Sequence, residues 1–214
     1  MPGFSVSPCT AMFNSEVSTV KQVVQEINLY RIEISPGVFH VLNNRTNELL
    51  ICLQFLRMHL CWEGFIEAVL VRYLCGCSSP SGFTPTIVSS KTRNIRDAMQ
   101  IISGNARYVS WSPGETIKRA IVHFDNGEPF SSALSSALYQ LNCISTIRNR
   151  IAHRSDFAKE RFREIVRTEI GYNPRGMTPG RFLMMKRKIS PRKRGTYFQY
   201  YSDILLALSR QIAP

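Results

Sequence analysis

The chain has 214 residues, enough for one domain or two small ones with a sizeable core, and its 44% apolar content argues against wholesale disorder. Mean hydropathy is −0.11, and no uninterrupted apolar run approaches the ~18 residues of a membrane-spanning helix. The start, MPGFSVSPCT, lacks the basic-then-apolar pattern of a signal peptide, and six cysteines are too sparse for a disulfide scaffold. These features predict a cytoplasmic protein with no membrane partner. The net charge of +12 is unevenly spread: residues 1–147 net +1, residues 148–194 net +11, and residues 195–214 are neutral. A basic surface concentrated in one stretch points to a polyanionic partner, because counterions released from phosphates favour binding.

The expected elements are mostly helices. Val17, Val20, Val24 and Ile27 fall at helical spacing and predict a first helix near residues 15–33, ended by Ser35-Pro36-Gly37. The strongest pattern runs from about Asn44 to Cys75. There Leu49, Leu53, Leu56 and Leu60 make one apolar stripe, and Phe55, Met58, Trp62, Phe65 and Val69 make a second. A helix apolar on two sides belongs at the centre of a bundle. Residues 78–90 read as a loop and residues 91–103 as a helix ending at Gly104. Ser112 can cap the next helix, with Pro113 in its first position and Glu115 completing a capping box. A long helix is expected from Ser131 or Ser132 through about His153, then a basic one capped by Ser155 and running to about Ile170. Residues 171–179 are loop-like, residues 186–194 (KRKISPRKR) are charged and interrupted by proline, and Tyr197 to Ile212 returns to helical spacing. The expected organisation is an N-terminal helical segment (1–40), a helical core (41–172), and a basic segment with a C-terminal helix (173–214).

The segment Leu141-Asn-Cys-Ile-Ser-Thr-Ile-Arg-Asn-Arg-Ile-Ala-His153 is the most informative. Asn142, Ser145, Thr146, Asn149 and His153 lie at steps of three and four, on one helical face. That face carries amides, hydroxyls and an imidazole but no carboxylate, which suits a packed polar interface or a reactive site. A helix ending just after His153 lets Arg148 and His153 reach one phosphate. An imidazole exchanges protons near neutral pH, and a guanidinium presents a fixed fork of donors to phosphoryl oxygens. The plain alternative for His153 is a histidine placed at a helix C-terminus by the helix dipole.

Arg148-Asn149-Arg150-Ile151-Ala152-His153 resembles the Arg-x(4–6)-His signature of the HEPN superfamily, in which a polar residue, often Asn, follows the Arg. Trp62-Glu63-Gly64-Phe65-Ile66-Glu67 is similar to the central helix of stand-alone HEPN proteins of bacterial toxin and defence loci. The Trp111-Ser-Pro start and the Gly127-Glu-Pro-Phe130 turn resemble the subgroup related to RiboL-PSP-associated HEPN proteins. The similarity covers roughly residues 45–170. It implies an all-α, HEPN-like helical bundle that forms a symmetric dimer with two Arg/His motifs facing each other. It also implies a metal-independent endoribonuclease, in which the RNA's own 2′-hydroxyl attacks the adjacent phosphate and leaves a 2′,3′-cyclic phosphate and a 5′-hydroxyl. Arg148, Asn149 and His153 would be catalytic, with Glu63 or Glu67 steadying Arg148 or forming a core ion pair. No metal or cofactor is implied. HEPN toxins silenced by nucleotidylation carry a Tyr two residues after the motif His; here Ser155 stands there, which departs from that mode of control and leaves room for another antitoxin or sensor protein.

Arg150, Arg154 and the run containing Lys186, Arg187, Lys188, Arg192, Lys193 and Arg194 are the expected RNA-docking cations, with Tyr197, Tyr200 and Tyr201 available to stack on unpaired bases. The same run also suits an arm for an acidic protein or a nuclear-localisation signal. His40, His59 and His123 are isolated and read as structural, and Cys75-Gly-Cys77 is too tight for a zinc pair. Three functions fit: a dimeric HEPN ribonuclease acting as a toxin or defence effector, a catalytically silent RNA-binding module, or a helical adaptor for an acidic protein.

Overall fold

A computed structural model of the protein describes residues 5–104, 106, 109–188 and 194–214. Among the described residues there are nine α-helices: α1 (Ser7–Leu29), α2 (Asn44–Leu74), α3 (Ile95–Ser103), α4 (Pro113–His123), α5 (Phe130–Ser136), α6 (Leu138–Ala152), α7 (Asp156–Ile170), α8 (Pro179–Met184) and α9 (Tyr197–Ile212). The class is all-α, with two small antiparallel pairs added: β1 (Arg31–Ser35) with β2 (Val38–Val41), and β3 (Lys186–Lys188) with β4 (Arg194–Thr196).

Several local expectations need correction. The first helix spans Ser7–Leu29, and the segment expected to finish it is a hairpin pairing Arg31 with Val41. Arg-Ile-Glu-Ile-Ser alternates with period two, a strand pattern. The turn is closed by Gly37, whose φ of +78° suits glycine and whose N–H donates to Glu33 Oε1 at 2.9 Å. The single long helix expected to end near His153 is two helices, broken at Ala137 (φ −125°, ψ 23°). Ser136 Oγ donates to the Ala133 carbonyl there (2.7 Å), the backbone competition that makes serine a poor interior helix residue. At the start of α4, Pro113 sits in the first turn as expected, but no capping box forms. Ser112 makes no side-chain cap bond, and Glu115 takes Lys118 Nζ at 2.8 Å instead.

The chain divides into two compact units: Met1–Ser15, Cys61–Asn142 and Ile204–Pro214 in the first, Glu16–Leu60 and Cys143–Asp203 in the second. In the first unit Tyr73 is fully buried and meets Phe83, Phe124 and Phe130 edge-on, with centroids 6.2–6.4 Å apart. Its hydroxyl donates to the Ile212 carbonyl at 2.9 Å, which ties α2 to the chain's last helix. Phe13 of α1 packs on Trp62 and Phe65.

In the second unit Phe55 lies edge-on to Phe198 and Tyr201, and Phe182 of α8 stacks on Tyr197 at 4.2 Å. Glu48, in the first turns of α2, accepts Thr178 Oγ1 on one oxygen (2.6 Å) and Arg181 Nε on the other (2.5 Å). Gly180 makes that approach possible: a Cβ there would stand 2.5 Å from the Glu48 carbonyl oxygen. These contacts fix α8, and with it the loop that follows α7.

The two stripes of α2 have different fates. Phe55, Met58, Trp62, Phe65 and Val69 are all buried, whereas Leu49, Leu53 and Leu60 are 59%, 49% and 61% exposed. The aromatic stripe is therefore the covered side of the helix, and the leucine stripe is left largely open. By length and composition alone it is long and apolar enough to cross a membrane, although Glu63 and Glu67 interrupt its second half.

Candidate functional site

The C-terminal end of α6 gathers the residues singled out by the sequence. Leu141, Cys143, Ile144 and Ile147 bury one side of the helix. That leaves Asn142, Asn149 and His153 exposed on another, with Ser145, Thr146 and Arg148 half-buried. The helical hydrogen-bond pattern persists to His153, whose N–H donates to the Asn149 carbonyl at 2.8 Å. Two residues later a new helix begins, because Ser155 Oγ accepts the Ala158 N–H (3.2 Å) and caps α7. His153 thus stands exposed in the short junction between α6 and α7. Arg150 Nη1 donates to the His153 carbonyl (3.2 Å), answering an otherwise orphaned helix-end acceptor. Arg148 Nη1 donates to Asn149 Oδ1 at 3.0 Å, so the amide holds one edge of the guanidinium.

Glu63 and Glu67 lie half-buried in the second half of α2 and belong to the first unit. Glu67 Oε2 accepts the indole N–H of Trp111 at 2.9 Å, and the Arg119 guanidinium lies over the same indole at 5.4 Å. Arg148 belongs to the second unit and its hydrogen bond is to Asn149. Among the described residues no group of three or more His, Cys, Asp or Glu is placed to hold a metal ion.

The expected RNA-docking cations fare unequally. Arg154, Lys186 and Arg194 are exposed and Arg150 is half-buried, while Arg192 and Lys193 lie outside the described residues. Lys188 forms part of β3. Arg187 is committed to the fold: its Nε reaches Glu169 Oε2 at 3.3 Å and its guanidinium lies 3.7 Å over the Tyr200 ring. Of the three tyrosines expected to stack on bases, Tyr197 and Tyr201 are 4% and 1% exposed and belong to the core. Their spacing on α9 reads equally as a buried face, and Phe55 and Phe182 claim it.

The structure sets three α7 cations that were not singled out from the sequence beside Arg150, which was. A cavity of about 440 Å³ in the second unit is walled by Lys159, Arg163 and Arg167 of α7, by Arg150 of α6, and by Arg175 from the loop after α7. The signal was present as a four-residue step, 159–163–167, that puts three cations on one side of a helix. No model of a known protein family, no curated protein and no solved structure matches this chain.

Proposed function

We propose that this protein is a metal-independent endoribonuclease of the HEPN type, a toxin or defence effector acting at the end of α6. The observation that carries this reading is the end of α6, where Asn149 holds the Arg148 guanidinium one turn before the exposed His153, and Arg150 links the His153 carbonyl to a basic cavity. The reaction asks for little more. A base takes the proton of the 2′-hydroxyl as its oxygen bonds to the neighbouring phosphorus, and the bond from phosphorus to the 5′-oxygen breaks. An acid returns a proton to that leaving oxygen, giving a 2′,3′-cyclic phosphate and a 5′-hydroxyl. His153 serves as proton carrier and Arg148 donates to the non-bridging oxygens, where negative charge grows. Asn149 fixes the Arg148 fork.

Base and acid work on opposite sides of phosphorus, and each chain offers one such histidine. A second copy supplies the other, so a homodimer is part of the proposal. A separate antitoxin or sensor protein would restrain it, and Ser155 is not a nucleotidylation target on this reading because its hydroxyl caps α7.

The test incubates wild type and His153→Ala with total RNA in excess EDTA and reads the fragment ends. Cyclic-phosphate ends made by wild type alone support the reading. Equal cutting by both proteins removes His153 from the chemistry. Binding without cutting by either favours a silent RNA-binding module.

A further inference from the structure

The basic cavity of the second unit holds an arrangement that the fold itself does not need. Lys159, Arg163 and Arg167 follow one another at i, i+4 and i+8 on α7, where like charges repel and weaken a helix. One carboxylate in the cavity, Glu160, answers Arg163 at 2.6 Å. Among the described residues Lys159, Arg167 and Arg175 enter no ion pair. A concave site that concentrates cations in this way is poised for an external anion.

The loop wall is built, not incidental. Gly171, at φ +91°, ends α7, and the loop then turns so that the Met177 N–H meets the Pro174 carbonyl at 3.3 Å. Arg175 sits in the second position of that turn and Gly176, at φ +72°, in the third, which requires the left-handed region. Arg181 Nη1 donates to the Gly176 carbonyl (3.3 Å), and Glu48 holds Arg181 in turn. Arg175 is therefore presented from a fixed loop to the same cavity as the α7 cations. Phe162 and Val166 form an apolar floor, with Pro174 and Met177 half-buried at its side.

We propose that this cavity binds one nucleotide of single-stranded RNA, its phosphates held by Lys159, Arg167 and Arg175 and its sugar or base laid on the Val166, Pro174 and Met177 surface. RNA is preferred to other phosphate esters because of the reading of α6 given above, on which this choice rests. Arg150 supplies the continuity: it walls the cavity and also bonds the His153 carbonyl, so a strand in the cavity continues to the α6 end. A concave site favours an unpaired, splayed nucleotide, since sequence elements of RNA are grasped where bases are free to leave the stack. The principal phosphate contacts are then on α7 and its loop, not on the 186–194 run.

The experiment measures fluorescence anisotropy of a short labelled 2′-O-methyl oligoribonucleotide, which binds but cannot be cut, over a series of salt concentrations. R167Q/R175Q is expected to bind about tenfold or more weakly, with a salt slope smaller by about two. R167K/R175K should keep most of the affinity. Arg167 and Arg175 are exposed, so thermal unfolding should be unchanged; if the pair does lower it, R175Q alone, on the loop, carries the comparison. Wild-type affinity and slope in R167Q/R175Q or in an equally stable R175Q would overturn the proposal. So would equal binding of a duplex of the same sequence, or occupation by a nucleoside monophosphate as tight as by the oligonucleotide. Failure of the ribonuclease reading shows separately, as fragment patterns indifferent to His153 while this binding persists.

Discussion

Arg150 donates from Nη1 to the main-chain oxygen of His153 at 3.2 Å, and the same side chain walls the basic cavity. One residue thereby closes the end of α6 and borders the cation cluster of α7. The junction is short because Ser155 begins α7 two residues after His153. A longer connection would let the imidazole wander; here the helical bond from His153 to Asn149 and the Ser155 cap fix the backbone on both sides.

Within the α6 trio the variants should rank by chemical role. On the ribonuclease reading proposed above, His153→Ala removes the proton carrier and should lower cleavage by about 10²–10⁴-fold. Arg148→Ala should cost about 10²–10³-fold through lost charge stabilisation, and Arg148→Lys should recover little, because an ammonium lacks the fork. Asn149→Ala should be milder, since it frees the guanidinium without removing it. His153 and Asn149 are exposed, so circular dichroism and melting should match wild type. Cleavage by Arg148→Ala at the wild-type rate would exclude that side chain from the site.

A composite site has a distinctive dose response. Co-refolded mixtures of wild type and His153→Ala should show activity falling as the square of the wild-type fraction if both imidazoles of a dimer are needed. A site complete within one chain gives a straight line. Sedimentation of the same mixtures checks that dimers are present.

Gly180 supplies a stability prediction tied to the cavity's loop. A Cβ at this position would lie 2.5 Å from the Glu48 carbonyl oxygen and 2.8 Å from its Cα, both backbone atoms that cannot swing aside. Gly180→Ala should therefore push α8 off α2 and destabilise by about 1–3 kcal/mol. A thermal melt would register this as a drop of several degrees. Because Glu48 also holds Arg181 and Thr178, the same variant should weaken oligonucleotide binding through Arg175. An unchanged melting temperature would mean that Glu48 and α8 separate freely.

Much of this was readable in the sequence. Long periodic segments with chemical punctuation identified α2, the Pro113 start of α4, the Ser155 cap of α7 and the final α9, and helical spacing put Asn142, Asn149 and His153 on one side of α6, where all three are exposed. What was not readable depends on which neighbour covers a surface. Periodicity revealed two apolar stripes on α2 but could not say that Leu49, Leu53 and Leu60 would stay exposed. Tyr197 and Tyr201 look like stacking residues until Phe55 and Phe182 are seen against them. Arg175 reaches the cavity through a turn held by Glu48, more than a hundred residues away in the chain, and no local pattern encodes that distance.

His123 provides a pH prediction with a definite sign. It ends α4 at 7% exposure, with Ser89 Oγ 2.9 Å from Nδ1, and burial holds its pKa below the usual histidine value. The unfolded chain titrates near ~6.5. Between that value and the lower folded one, the unfolded chain binds more protons than the native one. The contribution of a buried neutral His123 is thus present above about pH 6.5 and is lost as pH falls toward the folded pKa. Wild type should melt at progressively lower temperature as pH is brought from about 7.5 to about 5. His123→Asn, which keeps a polar atom near Ser89 but cannot titrate, should start less stable and decline less over the same range. Parallel curves for the two proteins would show that His123 is protonated at little cost in the fold, and that other groups set the acid limb.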